Sequence, residues 1–451
     1  MGLEFSIELL TLLMFGSLLI LLMLGLPLAW VTGGLACLFL FLVQDINNVS
    51  LAPTQVFATM SNEQLIAIPL FIFMAAMLER SGIIKEMFDV LYKLLGAIPG
   101  GLASATIIAS TILAAMVGVI GAAVVTMGII ALPEMLKRSY EPKIAMGSIM
   151  AGGTLGILIP PSILAILYAV VAEQSVGELF IGAVIPGLLL SGLYISYVTA
   201  RAFANPKLGP PIPVEERIDL GEKLRLLGGL TAPIALIFVV LGVIFTGYAT
   251  PVEASGVGSF GAMMVAALHF KLDWRTIREA CTTTLKASAM VIWIMFGATL
   301  FVSLYNQQGG QQFVREAMEG FGLGPWGILI VMQIFLIVLG MFLDWVGILL
   351  LCVPIFVPII KAIGAAAFGF DSEADLVLWF GVLYLVNMQM SFLSPPFGYA
   401  LFYLRGVAPK EIPMSDIFKA ALPFLALQVL GLTLCMLFPE LVIWLPKQVY
   451  G

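Results

Sequence analysis

Two adjacent prolines interrupt an apolar run at Pro160-Pro161, inside AGGTLGILIPPS (151–162), and two more do so at Pro395-Pro396, inside MSFLSPPFG (390–398). Proline donates no backbone hydrogen bond and pushes the residue before it out of helical geometry. Gly152, Gly153 and Gly156 weaken the first helix ahead of its prolines. A helix entering either segment is expected to stop, unwind and restart, near Ser162 in the first case. Both segments lie in runs long enough to cross a bilayer, which takes about 20 apolar residues. Broken backbone at that depth survives only where protein or a water-filled cavity satisfies the freed groups. One interruption is compatible with a packing kink. Two, one in each half, point to the binding region of a secondary transporter.

Composition agrees with a polytopic membrane protein. The 451 residues are 61% hydrophobic and 11% charged, with a mean hydropathy of +1.09. No soluble class has such values. A net charge of −6 gives no basic patch for nucleic acid. Cys37, Cys281, Cys352 and Cys435 are scattered through apolar runs without metal or disulfide spacing, and are expected to be small buried hydrophobes. The first segment starts with Glu4 and Glu8 and has no basic flank, so it reads as a membrane helix and not as a cleaved signal.

In chain order, membrane helices are expected over about 5–25, 27–43 and 64–79, with a polar loop at 45–62. SGIIKEMFDVLYKLL (81–95) sets Ile84, Met87, Phe88, Leu91, Leu94 and Leu95 opposite Lys85, Glu86, Asp89 and Lys93, an amphipathic helix lying in the interface. The small-residue stretch from 100 to 138 has a possible break at Gly118 and ends in Lys137-Arg138. It is followed by the first broken helix (144–171), a helix over 179–199, and a polar linker at 201–225. The second half repeats this order: helices at 226–245 and 253–270, a short interfacial piece at 273–281, a helix at 282–305, and an arm at 309–324. A candidate hairpin broken at 340–344, the second broken helix (376–404) and a last helix (417–438) follow.

Charge decides between spans and re-entrant hairpins, because loop Lys and Arg concentrate in the cytoplasm. With both ambiguous segments as hairpins and the N-terminus outside, 18 of the 21 basic residues are cytoplasmic, leaving Arg315, Lys361 and Lys447. The expectation is an all-α polytopic protein with ten spanning helices and two re-entrant hairpins. Five spans per half make the halves an inverted repeat: 1–200, a cytoplasmic linker 201–225, and 226–451. Both termini are then periplasmic.

The chemistry is expected where tips meet breaks. Unwound backbone offers carbonyl oxygens to Na⁺, and restarted helices point positive N-termini at an anion. The Na⁺ candidates are Val117, Gly118, Val119, Gly156, Ile159, Pro161, Gly340, Asp344 and Ser391. The substrate candidates are Thr154, Ser162, Asn387, Gln389, Ser391, Ser394 and Pro395. Asp344 is an acid in an apolar run, costly and usually functional. As a plain alternative it caps a half-helix. Asn387, Gln389 and Gln333 either line the site or bond across helices. His269 reads as an interfacial anchor beside Lys271, and Glu253 as a capping acid. No GxxxxGK[ST] phosphate loop and no HExxH or paired His/Cys cluster occurs, so energy is expected from an ion gradient or from a partner, and no enzymatic activity is expected.

The stretches IAIPLFIFMAAMLERSGI (66–83), GGLASATIIASTILAA (100–115), GILIPPSILAILYAV (156–170), LFIGAVIPGLLLSGLYI (179–195), TPVEA (250–254), GMFLD (340–344) and SPPFGYALFYLRG (394–406) resemble the large membrane subunit of tripartite ATP-independent periplasmic (TRAP) transporters. The resemblance runs over nearly the whole chain. It implies a Na⁺-driven elevator carrier in the bacterial inner membrane, importing an organic acid. It also implies a small four-helix membrane subunit, with no segment here to supply it, and a periplasmic substrate-binding protein. One departure stands out. Many members carry Ser-Gly-Ser at the first hairpin tip, where this chain has Val117, Gly118 and Val119. That departure touches the substrate class, and cargo such as an aromatic acid, a sulfonate or a polyol would fit it. The rival readings are a stand-alone ion–anion symporter of the same superfamily, separable by binding-protein dependence, and a membrane enzyme, which lacks a catalytic cluster.

Overall fold

A computed structural model describes residues 5–43, 50–118, 120–219, 221–222, 226–320 and 322–450, and the described residues contain helices and no strand. The first half runs α1 (Ile7–Met23), α2 (Leu28–Val43), α3 (Leu51–Met60), α4 (Ala67–Arg80) and the arm α5 (Ile83–Leu95). Then come the hairpin legs α6 (Gly101–Val117) and α7 (Ile120–Lys137), the broken pair α8 (Pro142–Thr154) and α9 (Ile163–Ala172), and α10 (Val176–Ala204). The second half runs α11 (Thr231–Phe245), α12 (Pro251–Leu268), α13 (Trp274–Gln307) and the arm α14 (Gly310–Gly320). Its hairpin legs are α15 (Pro325–Gly340) and α16 (Trp345–Ile363), its broken pair α17 (Glu373–Leu393) and α18 (Tyr399–Val407), followed by α19 (Met414–Leu437) and α20 (Glu440–Tyr450).

Hydrogen bonds sort the helix ends onto two sides. Gly100 N–H donates to Gly209 O at 2.8 Å and Glu141 N–H to Leu208 O at 2.9 Å. The first leg of the α6–α7 hairpin therefore starts, and the second ends, at the same linker segment. The hairpin enters and leaves on the linker side. Trp326, at the start of α15, packs on Phe368, just beyond α16, with ring centroids 5.5 Å apart. Lys361 pairs with Glu373 at 3.1 Å on that same side. The termini belong there too. Thr11 and Tyr305 share a hydrogen bond at 3.0 Å, Lys447 reaches Asp375 at 3.2 Å, and Tyr450 Oη donates to Ile244 O at 3.1 Å. Arg80 on Thr283 (3.0 Å) and Glu86 on His269 (3.1 Å) fix the opposite ends of α4, α13 and α12 to the linker side. The hairpins thus enter from opposite sides, which is an inverted repeat.

Local chemistry sets the helix starts. Thr250 and Glu253 form a reciprocal capping box at α12, as expected of that acid. Asp273, Ser372 and Ser162 cap α13, α17 and α9 by accepting from Thr276, Asp375 and Ala165 N–H groups.

Four sequence expectations need correction. The loop expected at 45–62 contains α3; Pro53 sits in its first turn, where no N–H is needed, and Thr54 and Thr59 bond back to the carbonyls of Ser50 and Gln55. Residues 44–49 lie outside the described residues. The separate pieces expected at 273–281 and 282–305 are one 34-residue helix, α13. No Gly or Pro occurs before Gly297, and Thr282, Thr283 and Thr284 bond back to i−4 carbonyls without breaking the helix. The terminal helix α20 was not expected at all. Cys352 and Cys435 are buried, but Cys37 and Cys281 are exposed, on faces of α2 and α13 that no other described element covers.

Candidate functional site

Each broken helix meets the tip of its own hairpin. Gly118 ends α6 in the left-handed region (φ 58°), and its N–H donates to Ala114 O. A Cβ at Gly118 would stand 2.9 Å from Pro161 O. In the second half Gly340 lies against Ser391 so tightly that a Cβ would overlap the Ser391 side chain. The structure thus brings together Gly118 with Pro161, and Gly340 with Ser391. Val119 and the Val117 side chain lie outside the described residues.

The prolines free specific oxygens. Residues 160, 161, 395 and 396 carry no N–H, so the carbonyls of Gly156, Ile157, Ser391 and Phe392 lose their i+4 donors. Ser162 Oγ takes up Ile157 O at 2.5 Å. Ser394 Oγ donates to Met390 O at 2.7 Å. Ser391 Oγ is buried with no partner among the described residues. Asp344 is half-buried and caps α16, accepting from Val346 N–H at 3.3 Å. The polar atoms at the two breaks are thus backbone carbonyls and one orphaned hydroxyl, with the Asp344 carboxylate at the second tip. Ile159 is buried in the first break, and Pro395 is half-buried in the second.

The amides serve as ties between helices. Asn387 Nδ2 donates to Gln333 O at 2.9 Å and to Gln333 Oε1 at 2.7 Å, joining α17 to α15. Thr154 Oγ lies 3.5 Å from Gln389 Oε1, joining the two broken helices. Gln428 Nε2 donates to Thr154 Oγ at 3.3 Å, a contact that sequence reading missed although an amide inside ALQVLG was a signal. Thr154, Ser162, Asn387 and Gln389 are fully buried. They pack inside the broken-helix unit.

Open space lies beside the second tip. A cavity of about 740 Å³ is bounded by the α1–α2 turn and α13 on one side, and by Leu343, Asp344, Tyr399 and Tyr403 on the other. A second, of about 700 Å³, lies toward the opposite end of α13, between α3 and Glu173.

Residues 15–441 match the family described as the tripartite ATP-independent periplasmic transporter, DctM component. The chain belongs to this family. Its TRAP relatives include the C4-dicarboxylate large permease DctM of Vibrio cholerae, 30% identical over 95% of both chains. The isethionate permease DctMQ of Oleidesulfovibrio alaskensis is 27% identical over 95% of this chain and 65% of its own length. The V. cholerae sialic acid permease SiaM is 28% identical over 95% of this chain and 96% of its own. Among solved structures, the Alcanivorax borkumensis YdaH transporter aligns with a TM-score of 0.65 at 14% identity, covering 96% of this chain and 99% of its own, a likeness of fold. The chain is therefore a multi-span transport permease of a bacterial tripartite system, in which, as the name states, a membrane component works with further subunits.

Proposed function

We propose that this TRAP permease imports an organic acid, a carboxylate or a sulfonate, by Na⁺ symport. Its cargo is received from a periplasmic binding protein in complex with a small four-helix membrane subunit. The hairpins, the broken helices, α10 and α19 move as one body against α1, α2, α4 and α11–α13. The repeats divide at 1–200, 201–225 and 226–451. The protein sits in the inner membrane with both termini periplasmic, because that orientation puts the basic linker side in the cytoplasm. The observation that carries the reading is the pair of tips entering from opposite sides and each meeting a proline break, at Gly118–Pro161 and Gly340–Ser391. Sodium is held largely by backbone oxygen at both tips, and the acid between them.

The named relatives transport C4-dicarboxylates, isethionate and sialic acid, all anions, which supports the substrate class. Reconstitution tests the reading. Uptake into proteoliposomes is expected to need the large subunit, the small subunit and the loaded binding protein together. Robust uptake of free substrate by this chain alone would establish the stand-alone symporter instead.

A further inference from the structure

Lys286 stands out among the charges that the tip chemistry does not use. It lies on α13 eight residues beyond Arg278, about 12 Å along the helix axis at the usual rise. Leu285 and Met290 beside it are exposed apolar side chains, so Lys286, counted with the cytoplasmic charges from sequence, instead stands on an apolar stretch of α13. A charge on such a stretch is costly unless it reaches water or a cavity. Lys286 reaches the cavity of about 740 Å³ on the linker side, together with Ala289 and Trp293 from the same helix stripe. No ion pair of Lys286 occurs among the described residues.

The cavity has an electrical direction. Asp344 lines it at the hairpin tip, and Lys286 lines it from α13, and no other lining residue is charged. Trp30 and Trp293, in edge contact at 5.7 Å, and the rings of Tyr399 and Tyr403 give it walls of low polarity. Such walls focus the field of the charges they surround. An organic anion leaving the tip would be repelled by the Asp344 carboxylate and drawn toward the Lys286 ammonium. The second cavity has no basic residue in its lining, only neutral amides, hydroxyls, apolar groups and Glu173.

We propose that the linker-side cavity is an anion-selective vestibule, with Lys286 as the residue that sets its selectivity. The proposal rests on the transport reading for its purpose, but its test does not use transport. Ala289→Cys places a thiol in the vestibule, with the exposed Cys37 and Cys281 replaced by serine. The purified chain in phosphatidylcholine nanodiscs is then modified with two methanethiosulfonates, one bearing an ethylsulfonate and one an ethyltrimethylammonium. The ratio of anionic to cationic rates is expected to fall about ten-fold in Lys286→Gln, as expected for losing one focused charge. Lys286→Arg should keep the ratio, and Asp344→Asn should raise it. A fold change in structure alone would move both rates together. An unchanged ratio in Lys286→Gln would overturn the proposal. So would collapse of the wild-type ratio on adding phosphatidylglycerol, which would make Lys286 a lipid headgroup anchor. A selective vestibule in a chain whose complete complex, with its loaded binding protein, fails to transport would sink the transport reading alone.

Discussion

Gly340 at the second hairpin tip touches Ser391 of the broken helix so closely that no Cβ fits between them. The tip is therefore seated on the break through a glycine, and the side chain nearest it is the orphaned hydroxyl of Ser391. Gly340→Ala is expected to destabilise the protein by about 1–3 kcal/mol, the usual cost of overpacking. Ser391→Gly removes the overlapping atoms and leaves the Ser391 Cα as the nearest neighbour, at 3.1 Å. The double variant should recover part of the loss. Thermal melting of the four members of this cycle checks it, and additive losses would contradict the contact.

The Asn387–Gln333 hydrogen bond ties α17 to α15. Asn387→Leu leaves the Gln333 side chain buried without its donor, at a cost of about 1–3 kcal/mol. Replacing both residues with leucine should cost less than the sum of the single changes and should keep uptake. If the double variant melts normally but no longer transports, Asn387 contacts substrate.

The linker side is held by a clasp. Arg138 pairs with Glu216 and with Glu134, and Tyr92 Oη donates to Glu216 at 2.9 Å. The Arg138 guanidinium, then the Tyr92 hydroxyl, hold the Glu216 carboxyl below the usual carboxylate range. Burial, together with the bond to Glu216, pushes Tyr92 up to about 12. A depressed carboxylate stabilises the folded state above its ordinary pKa, and that contribution fades as pH falls through the depressed value. The clasp should hold throughout the neutral range. Glu216→Gln should speed proteolysis within 217–226 at pH 7 to the rate that wild type shows only in strong acid. Equal rates at pH 7 would show that the clasp holds nothing.

The proposed orientation rests on the basic residues. A thiol at position 215 should label only from the cytoplasm, and one at 447 only from the periplasm. External labelling at 215 would reverse the assignment.

The broken helices, both hairpins and the arms were legible because Pro-Pro, Gly118 and a 3.6-residue apolar period act locally. The inverted entry of the hairpins was legible through charge, since loop Lys and Arg obey a rule independent of packing. Helix α3 was not, because its polar face resembles a loop until Gln55 finds Ser303 on α13 at 3.1 Å. The continuity of α13 was hidden by a threonine run that back-bonds inside the helix. At the site, the sequence could place Asn387 and Gln389 at membrane depth. It could not say that they turn toward Gln333 and Thr154, because those partners lie 54 and 235 residues away.

On the proposed mechanism, Na⁺ coupling should survive a first tip without serine, with backbone oxygen holding the ion. Val117→Ser should then change little. Gly118→Leu should abolish Na⁺ dependence, since a Cβ there is strained at φ 58° and meets Pro161 O at 2.9 Å. The most direct measurement is uptake against Na⁺ concentration, in proteoliposomes containing the whole complex and its loaded binding protein. Saturable stimulation by Na⁺ is expected in wild type and Val117→Ser, and a flat response in Gly118→Leu that is still folded by size-exclusion chromatography. Wild-type uptake indifferent to Na⁺ would contradict the mechanism.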